Sequence, residues 1–237
     1  MSPLRRTAFV VGLLFIITFV VSIPAALVLY TPVLDHTDYI VGAGADSRIA
    51  LGAFLEMILI VANIGTAVVL FPILRRQNEA FSLGYVTARV MESVFIAVGF
   101  LSLLAIVTLR QDLAGTAGAD AASLETVGRS LVAVHDWTFL LGPGWVLGIG
   151  NGLLLGYMMY RSGLVPRGMA MLGLIGGPLI IISGTAVLFD VIEPGSSAQV
   201  IPTIPEFFWE LSLGIYLMVK GFKPSPITDA LPAAATV

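Results

Sequence analysis

Long uninterrupted apolar runs, separated by short polar breaks, dominate the chain. No alternation of period two marks a strand. Six stretches reach the roughly 20 mostly apolar residues that a helix needs to cross a bilayer. They lie near 7–30, 48–74, 82–109, 131–160, 168–189 and 203–221. In lipid, a spanning backbone must satisfy its own hydrogen bonds, so runs of this kind predict helices. The expected fold class is all-α, a polytopic membrane bundle of six transmembrane helices over residues 1–222. The segment 223–237, which carries Pro224, Pro226, Pro232 and three successive alanines, lacks periodic apolar positions and is expected to be a disordered cytoplasmic tail. The run from Phe9 to Leu29 follows Arg5 and Arg6 as a secretory signal would. It exceeds the usual apolar core of such signals, about 7–15 residues, and reads as a retained anchor.

Basic residues orient these stretches, because positive loops resist translocation. Arg5, Arg6, Arg75, Arg76, Arg161, Arg167, Lys220 and Lys223 fall on one side, eight of the twelve basic residues, while Arg48, Arg110 and Arg129 fall on the other. This alternation predicts six spans with both termini cytoplasmic and a multi-pass location in the plasma membrane. Ser123 followed by Glu125 is a helix-start pattern ahead of the fourth stretch, so part of the preceding loop is expected to be helical.

Composition agrees with the pattern and removes alternatives. The 237 residues are 57% hydrophobic and 11% charged, against about 25% charged in soluble domains, and the mean hydropathy is +0.98. A net charge of −3 with scattered basic pairs excludes a nucleic-acid surface. The absence of cysteine excludes disulfides, thiolate nucleophiles and cysteine-held metals. No nucleotide-binding loop, nucleophile elbow or zinc-helix motif occurs, and no cofactor is assigned.

Ionisable groups inside spans are the candidates for chemistry, since each costs about 2.5–3.5 kcal/mol on insertion scales unless paired, hydrated or used. Glu56 and Asn63 share a face of the second stretch, seven residues apart. Arg89 and Glu92 lie three apart in the third, with Tyr85 one turn earlier. That pair reads either as a local ion pair locking helices together or as the lining of a charged cavity. His135, Asp136 and Trp137 open the fourth stretch, where an interfacial role suits Asp136 and Trp137. Glu206 and Glu210 share a face of the sixth; solvent exposure at the outer mouth suits Glu206 better than Glu210. Glu56, His135, Glu206 and Glu210 all fall in the predicted outer half, as a common site requires. The binding candidates are therefore Glu56, Asn63, Arg89, Glu92, His135, Glu206 and Glu210.

Gly144, Gly148, Gly152 and Gly156 recur every four residues, and Gly173 with Gly177 repeats the spacing in the fifth stretch. Such patterns allow close approach of helices, within one chain or between copies in an oligomer. Pro143 and Pro178 are expected to kink these helices.

The Arg89-x-x-Glu92 pair, the His135-Asp136-Trp137 entry and the Leu164-Val165-Pro166-Arg167 approach to a glycine-rich helix resemble the bacterial membrane family known as domain of unknown function 4386, from about residue 5 to 222. The resemblance implies a bacterial plasma-membrane protein with one six-helix domain and no assigned activity.

Three functions follow as expectations. The first is binding or transport of a small cationic or protonatable solute through an outer-half polar cavity. The second is a membrane-embedded hydrolase whose metal is held by His135 with Glu56, Glu206 or Glu210. In the third, a structural or regulatory membrane protein, buried charges serve only helix registry. Beyond the lipid bilayer, a small-molecule or ion ligand is the expected partner.

Overall fold

A computed structural model describes residues 1–36, 38–42, 44–113 and 121–229, and every regular element among them is helical. Five helices are long and apolar enough to cross a membrane: α1 (Pro3–Leu29), α2 (Asp46–Leu74), α3 (Glu79–Asp112), α4 (Ala121–Ser162) and α5 (Arg167–Leu188). The last long helix, α6 (Ile204–Val219), is shorter, but the helical turns Ser197–Val200 and Ile201–Thr203 lead into it without a gap. Helix α4 begins about ten residues before the expected stretch, so the segment around Ser123 is helical.

Local chemistry sets the ends. Ser2 Oγ accepts from Arg5 N at the start of α1, and Gly163 takes the left-handed conformation (φ 68°) that closes α4. Within α4, Pro143 lacks an N–H and its ring crowds the carbonyl four residues back. The chain responds by widening into π-helical turns over Leu140–Val146, and again over the glycine-rich Gly148–Leu155. Pro178 lies inside α5, which stays α-helical from Arg167 to Leu188.

The helices pack as a ring in chain order, each against the next, with α6 closing on α1. Both described terminal segments lie at one end. Arg5 Nη1 donates to Leu217 O (3.0 Å) and Nη2 to Met218 O (2.6 Å) and Val219 O (3.1 Å), satisfying the last-turn carbonyls of α6. Beyond α6 the chain departs from the expected disorder as far as it is described. Lys223 N donates to Leu164 O, Ser225 Oγ donates to Ser162 O, and Pro226–Asp229 forms a helical turn. Backbone groups left open at the close of α4 give this segment its partners. The remainder of the expected tail, 230–237, lies outside the described residues.

Two apolar cores fill the ring. The core at the terminal end gathers Phe15, Leu70, Leu74, Tyr85, Met158, Leu164, Trp209 and Leu213. The core at the opposite end gathers Val21, Tyr30, Ile40, Ile49, Ile96, Phe100 and Leu103. Along α1, α2 and α3 the buried residues between the two are polar apart from Ala62 and Ala88: Thr18; Asn63 and Thr66; Arg89, Glu92 and Ser93. A polar belt therefore crosses the bundle at mid-depth. Arg89 stands ten residues into α3, roughly 15 Å along its axis.

The glycine repeats are used inside the chain. A Cβ on Gly148 would come within 2.8 Å of Gly177 O, and one on Gly152 within 2.4 Å of Gly177 Cα. Gly156 faces the backbone of Gly173 and Leu174, whereas Gly144 meets only its own helix. Close α4–α5 packing consumes three of the four repeats, so association between copies would need other faces of these helices.

Candidate functional site

The belt is built around Arg89, which is 1% exposed. Its Nη1 donates to Glu92 Oε2 at 2.7 Å and its Nη2 to Asn63 Oδ1 at 2.6 Å. Asn63 Nδ2 returns a bond to Glu92 Oε1 at 3.2 Å, which closes a three-residue ring between α2 and α3. The i, i+3 spacing on α3 makes the first contact possible. The second places Asn63 opposite, where its amide serves the cation with oxygen and the carboxylate with nitrogen. Thr66 Oγ1 and Tyr85 OH, 3.4 Å apart, extend the belt toward the terminal end.

Helix α6 joins from the other side. Glu210 Oε1 lies 3.8 Å from Arg89 Nη1 and accepts a hydrogen bond from Asn151 Nδ2. Asn151 sits in the π-helical part of α4, and its carbonyl also accepts from Trp209 Nε1 at 3.0 Å. Glu206, one turn before Glu210, is 2% exposed rather than open at a mouth. Neither of its carboxyl oxygens has a hydrogen-bond partner among the described residues, and Asn151 Oδ1 and Arg89 Nε are also buried and unpaired. The turns preceding α6 carry the helix beyond Glu206, so a position expected at a mouth lies within the packed seam.

Glu56 and His135 form a separate group toward the opposite end. Tyr30 OH donates to Glu56 Oε2 at 2.8 Å, and the rings of Tyr30 and His135 meet edge to face with centroids 5.8 Å apart. His135 is within Coulombic reach of Glu56, and its Nδ1 lies 3.2 Å from Oδ1 of the exposed Asp136. Gly52 makes room for the Tyr30 ring, since a Cβ there would come within 2.4 Å of Tyr30 Cε1.

The common site expected for Glu56, His135, Glu206 and Glu210 is therefore divided. Glu56 and His135 pair with Tyr30, while Glu210 joins Arg89, Glu92 and Asn63, with Glu206 one turn away on α6. The reason is lateral helix order, which depth alone does not fix: α6 packs on α1 and α5 and faces α4, across from α3. The donor set expected for a hydrolytic metal is accordingly not assembled. Among the described residues no three His, Asp or Glu side chains are grouped to hold a metal ion. The guanidinium of Arg89 stands beside Glu210.

Cavities near the opposite end have different linings. One of about 140 Å³ is bounded by Val33, Tyr39, Ile106, Arg129 and Asp136. Another of about 470 Å³ is bounded by Asp35, His36, Asp38, Tyr39 and Arg48. None of the seven candidate residues lines either one. At this end Tyr39 OH donates to Asp46 Oδ1 at 2.8 Å, and Arg110 grips the same carboxylate. Burial first, then the bond to Asp46, holds the Tyr39 phenol above its ordinary value.

Asn151 and Tyr30 are the residues that sequence reasoning missed. A lone asparagine within an apolar glycine-rich run was a signal for the first. Tyr30 had none, because its partner lies 26 residues away on another helix.

The family model described as a domain of unknown function, DUF4386, matches residues 10–221, and the chain belongs to that family. No curated protein and no solved structure matches it.

Proposed function

We propose that the protein is a six-span plasma-membrane protein, with both termini cytoplasmic, that binds and carries a small cationic or protonatable solute at the mid-depth belt. The observation that carries this reading is the charge balance of the belt. Two buried glutamates, Glu92 and Glu206, and the partly buried Glu210 accompany one arginine. Pairing Arg89 with one of them leaves two carboxyls that protons or a cation must neutralise, and such groups persist in membranes where they have a use. The sixth span is supported by the continuous helical run from Ser197 to Val219, roughly 34 Å at 1.5 Å per residue, against a hydrocarbon core of about 30 Å.

Purified protein in liposomes should take up labelled sodium or tetramethylammonium faster than empty liposomes, and Glu210→Gln should reduce that uptake. Wild-type liposomes no faster than empty ones for either cation would refute the transport reading. Because the chain lacks cysteine, single cysteines test its topology. Those at Asn78 and Ser162 should be shielded from an impermeant maleimide added outside cells, and one at Glu193 should react.

A structural role is the second reading, favoured by the completeness of the Asn63–Arg89–Glu92 ring. If registry alone were the use, replacing Arg89 and Glu92 together by neutral residues would preserve folding and uptake alike.

A further inference from the structure

We propose that Glu206 is a proton-binding site whose proton is exchanged for a small monovalent alkali cation entering the belt. This deepens, and rests on, the cation-binding reading above. The carboxyl lies in the seam of α4, α5 and α6, held between glycines. A Cβ on Gly176 would come within 2.8 Å of Glu206 Oε2, and one on Gly152 within 3.0 Å. Any larger residue at either position would displace it. The repeats that bring α4 and α5 together thus also admit a carboxyl from α6.

Only Arg89 favours an ionised Glu206, without an ion pair between them, while burial and two nearby carboxyls oppose it. Helix α1 carries no ionisable residue beyond Arg6, and α5 carries none beyond Arg167 at its far end. The adjoining part of α4, Gly148–Leu155, offers only Asn151. From α3 come Arg89, already bonded to Glu92 and Asn63, and Glu92 itself, which repels; α6 adds Glu210, which also repels. With both oxygens unpartnered, the carboxyl is accommodated as the neutral acid.

The same geometry describes what replaces the proton. Glu206 Oε1 and Oε2 and Asn151 Oδ1 are all buried, unpaired acceptors, and Asn151 is the neighbour of Gly152, which abuts Glu206. Oxygen-only donors suit hard cations, and the tight glycine walls favour a bare ion over an organic ammonium. On exchange the Glu206 O–H bond breaks, the proton leaves to solution, and the carboxylate takes the cation. The net charge of the site is unchanged.

The test uses the intact purified chain in detergent. Its infrared spectrum should show a carbonyl band from protonated carboxylic acid, diminished in Glu206→Gln and unchanged in Glu79→Gln, whose side chain is exposed at the start of α3. Sodium chloride added to weakly buffered wild-type protein near neutral pH should diminish this band and release about one proton per chain, by linkage. Choline chloride at equal ionic strength should do neither. A wild-type spectrum without the band, or a band unchanged in Glu206→Gln, overturns the proton site. A Glu206-dependent band with no sodium-driven release overturns the exchange alone, and the uptake of tetramethylammonium then decides the broader cation reading separately. Should Glu206→Gln fail to fold, the sodium response of the wild-type band still decides the matter.

Discussion

Replacing Arg89 with methionine removes the one cation of the belt while keeping a long side chain in its place. The structure sets the scale. Arg89 is 1% exposed and bonds Glu92 Oε2 and Asn63 Oδ1. Removing one partner of a buried ion pair costs about 3–5 kcal/mol, because the other charge stays behind. The Asn63 carbonyl also loses its donor, which adds about 1–3 kcal/mol unless the amide rotates. Converting Glu92 to methionine as well removes the stranded carboxylate. The double variant then retains the orphaned Asn63 amide and a Glu210 without its cation 3.8 Å away. Its loss should be about 1–3 kcal/mol, smaller than that of the single change. Unfolding from mixed micelles by increasing sodium dodecyl sulfate measures both. Trp209, whose indole N–H bonds Asn151 O within the belt, serves as fluorescent reporter. A single-variant loss below about 1 kcal/mol, the range of an exposed pair, would refute a dry belt. A double-variant loss equal to the sum of the two single losses would refute coupling between Arg89 and Glu92.

Gly152→Ala should lower thermal stability by about 1–3 kcal/mol or more, because its Cβ meets the Gly177 backbone at 2.4 Å and backbone does not yield as a side chain can. Gly168→Ala, with nothing within 4 Å of the added carbon, should instead raise stability by about 0.4–1 kcal/mol in the same melting experiment. Tyr39 predicts a pH dependence. Its folded phenol is held above the unfolded value, so its contribution is complete below about pH 10, the unfolded value, and is lost as pH rises through the folded one. Ultraviolet titration should therefore show one fewer late-ionising tyrosine in Tyr39→Phe, and an unchanged titration would refute the assignment.

The helices were legible in the sequence because apolar length acts locally along the chain. The Arg89–Glu92 pair was legible for the same reason, since spacing of three on a helix fixes proximity without knowledge of neighbours. Glu210 was not assignable to that pair. Its contact with Arg89 depends on α6 closing the ring, a non-local fact to which hydropathy is blind. Asn151 lay hidden in a glycine run whose dominant meaning, close packing of α4 on α5, is correct for Gly148, Gly152 and Gly156.

Packing and polar chemistry meet at the same residues. Two apolar cores hold the ends of the bundle, and between them each helix but α5 contributes a buried polar side chain: Thr18, Asn63, Arg89, Asn151 and Glu206 lead the set, with Ser183 of α5 buried nearer its other end. At mid-depth α5 contributes the space left by Gly173 and Gly176, into which Trp209 and Glu206 of α6 fit, and Gly177, which abuts the backbone of α4. Glycine at those positions therefore has two physical consequences at once. It shortens the distance between α4 and α5, and it leaves room where α6 inserts an acid that no neighbouring cation claims. A change in the charge of that acid acts on the seam of all three helices, because the carboxyl of α6 lies directly against Gly152 of α4 and Gly176 of α5.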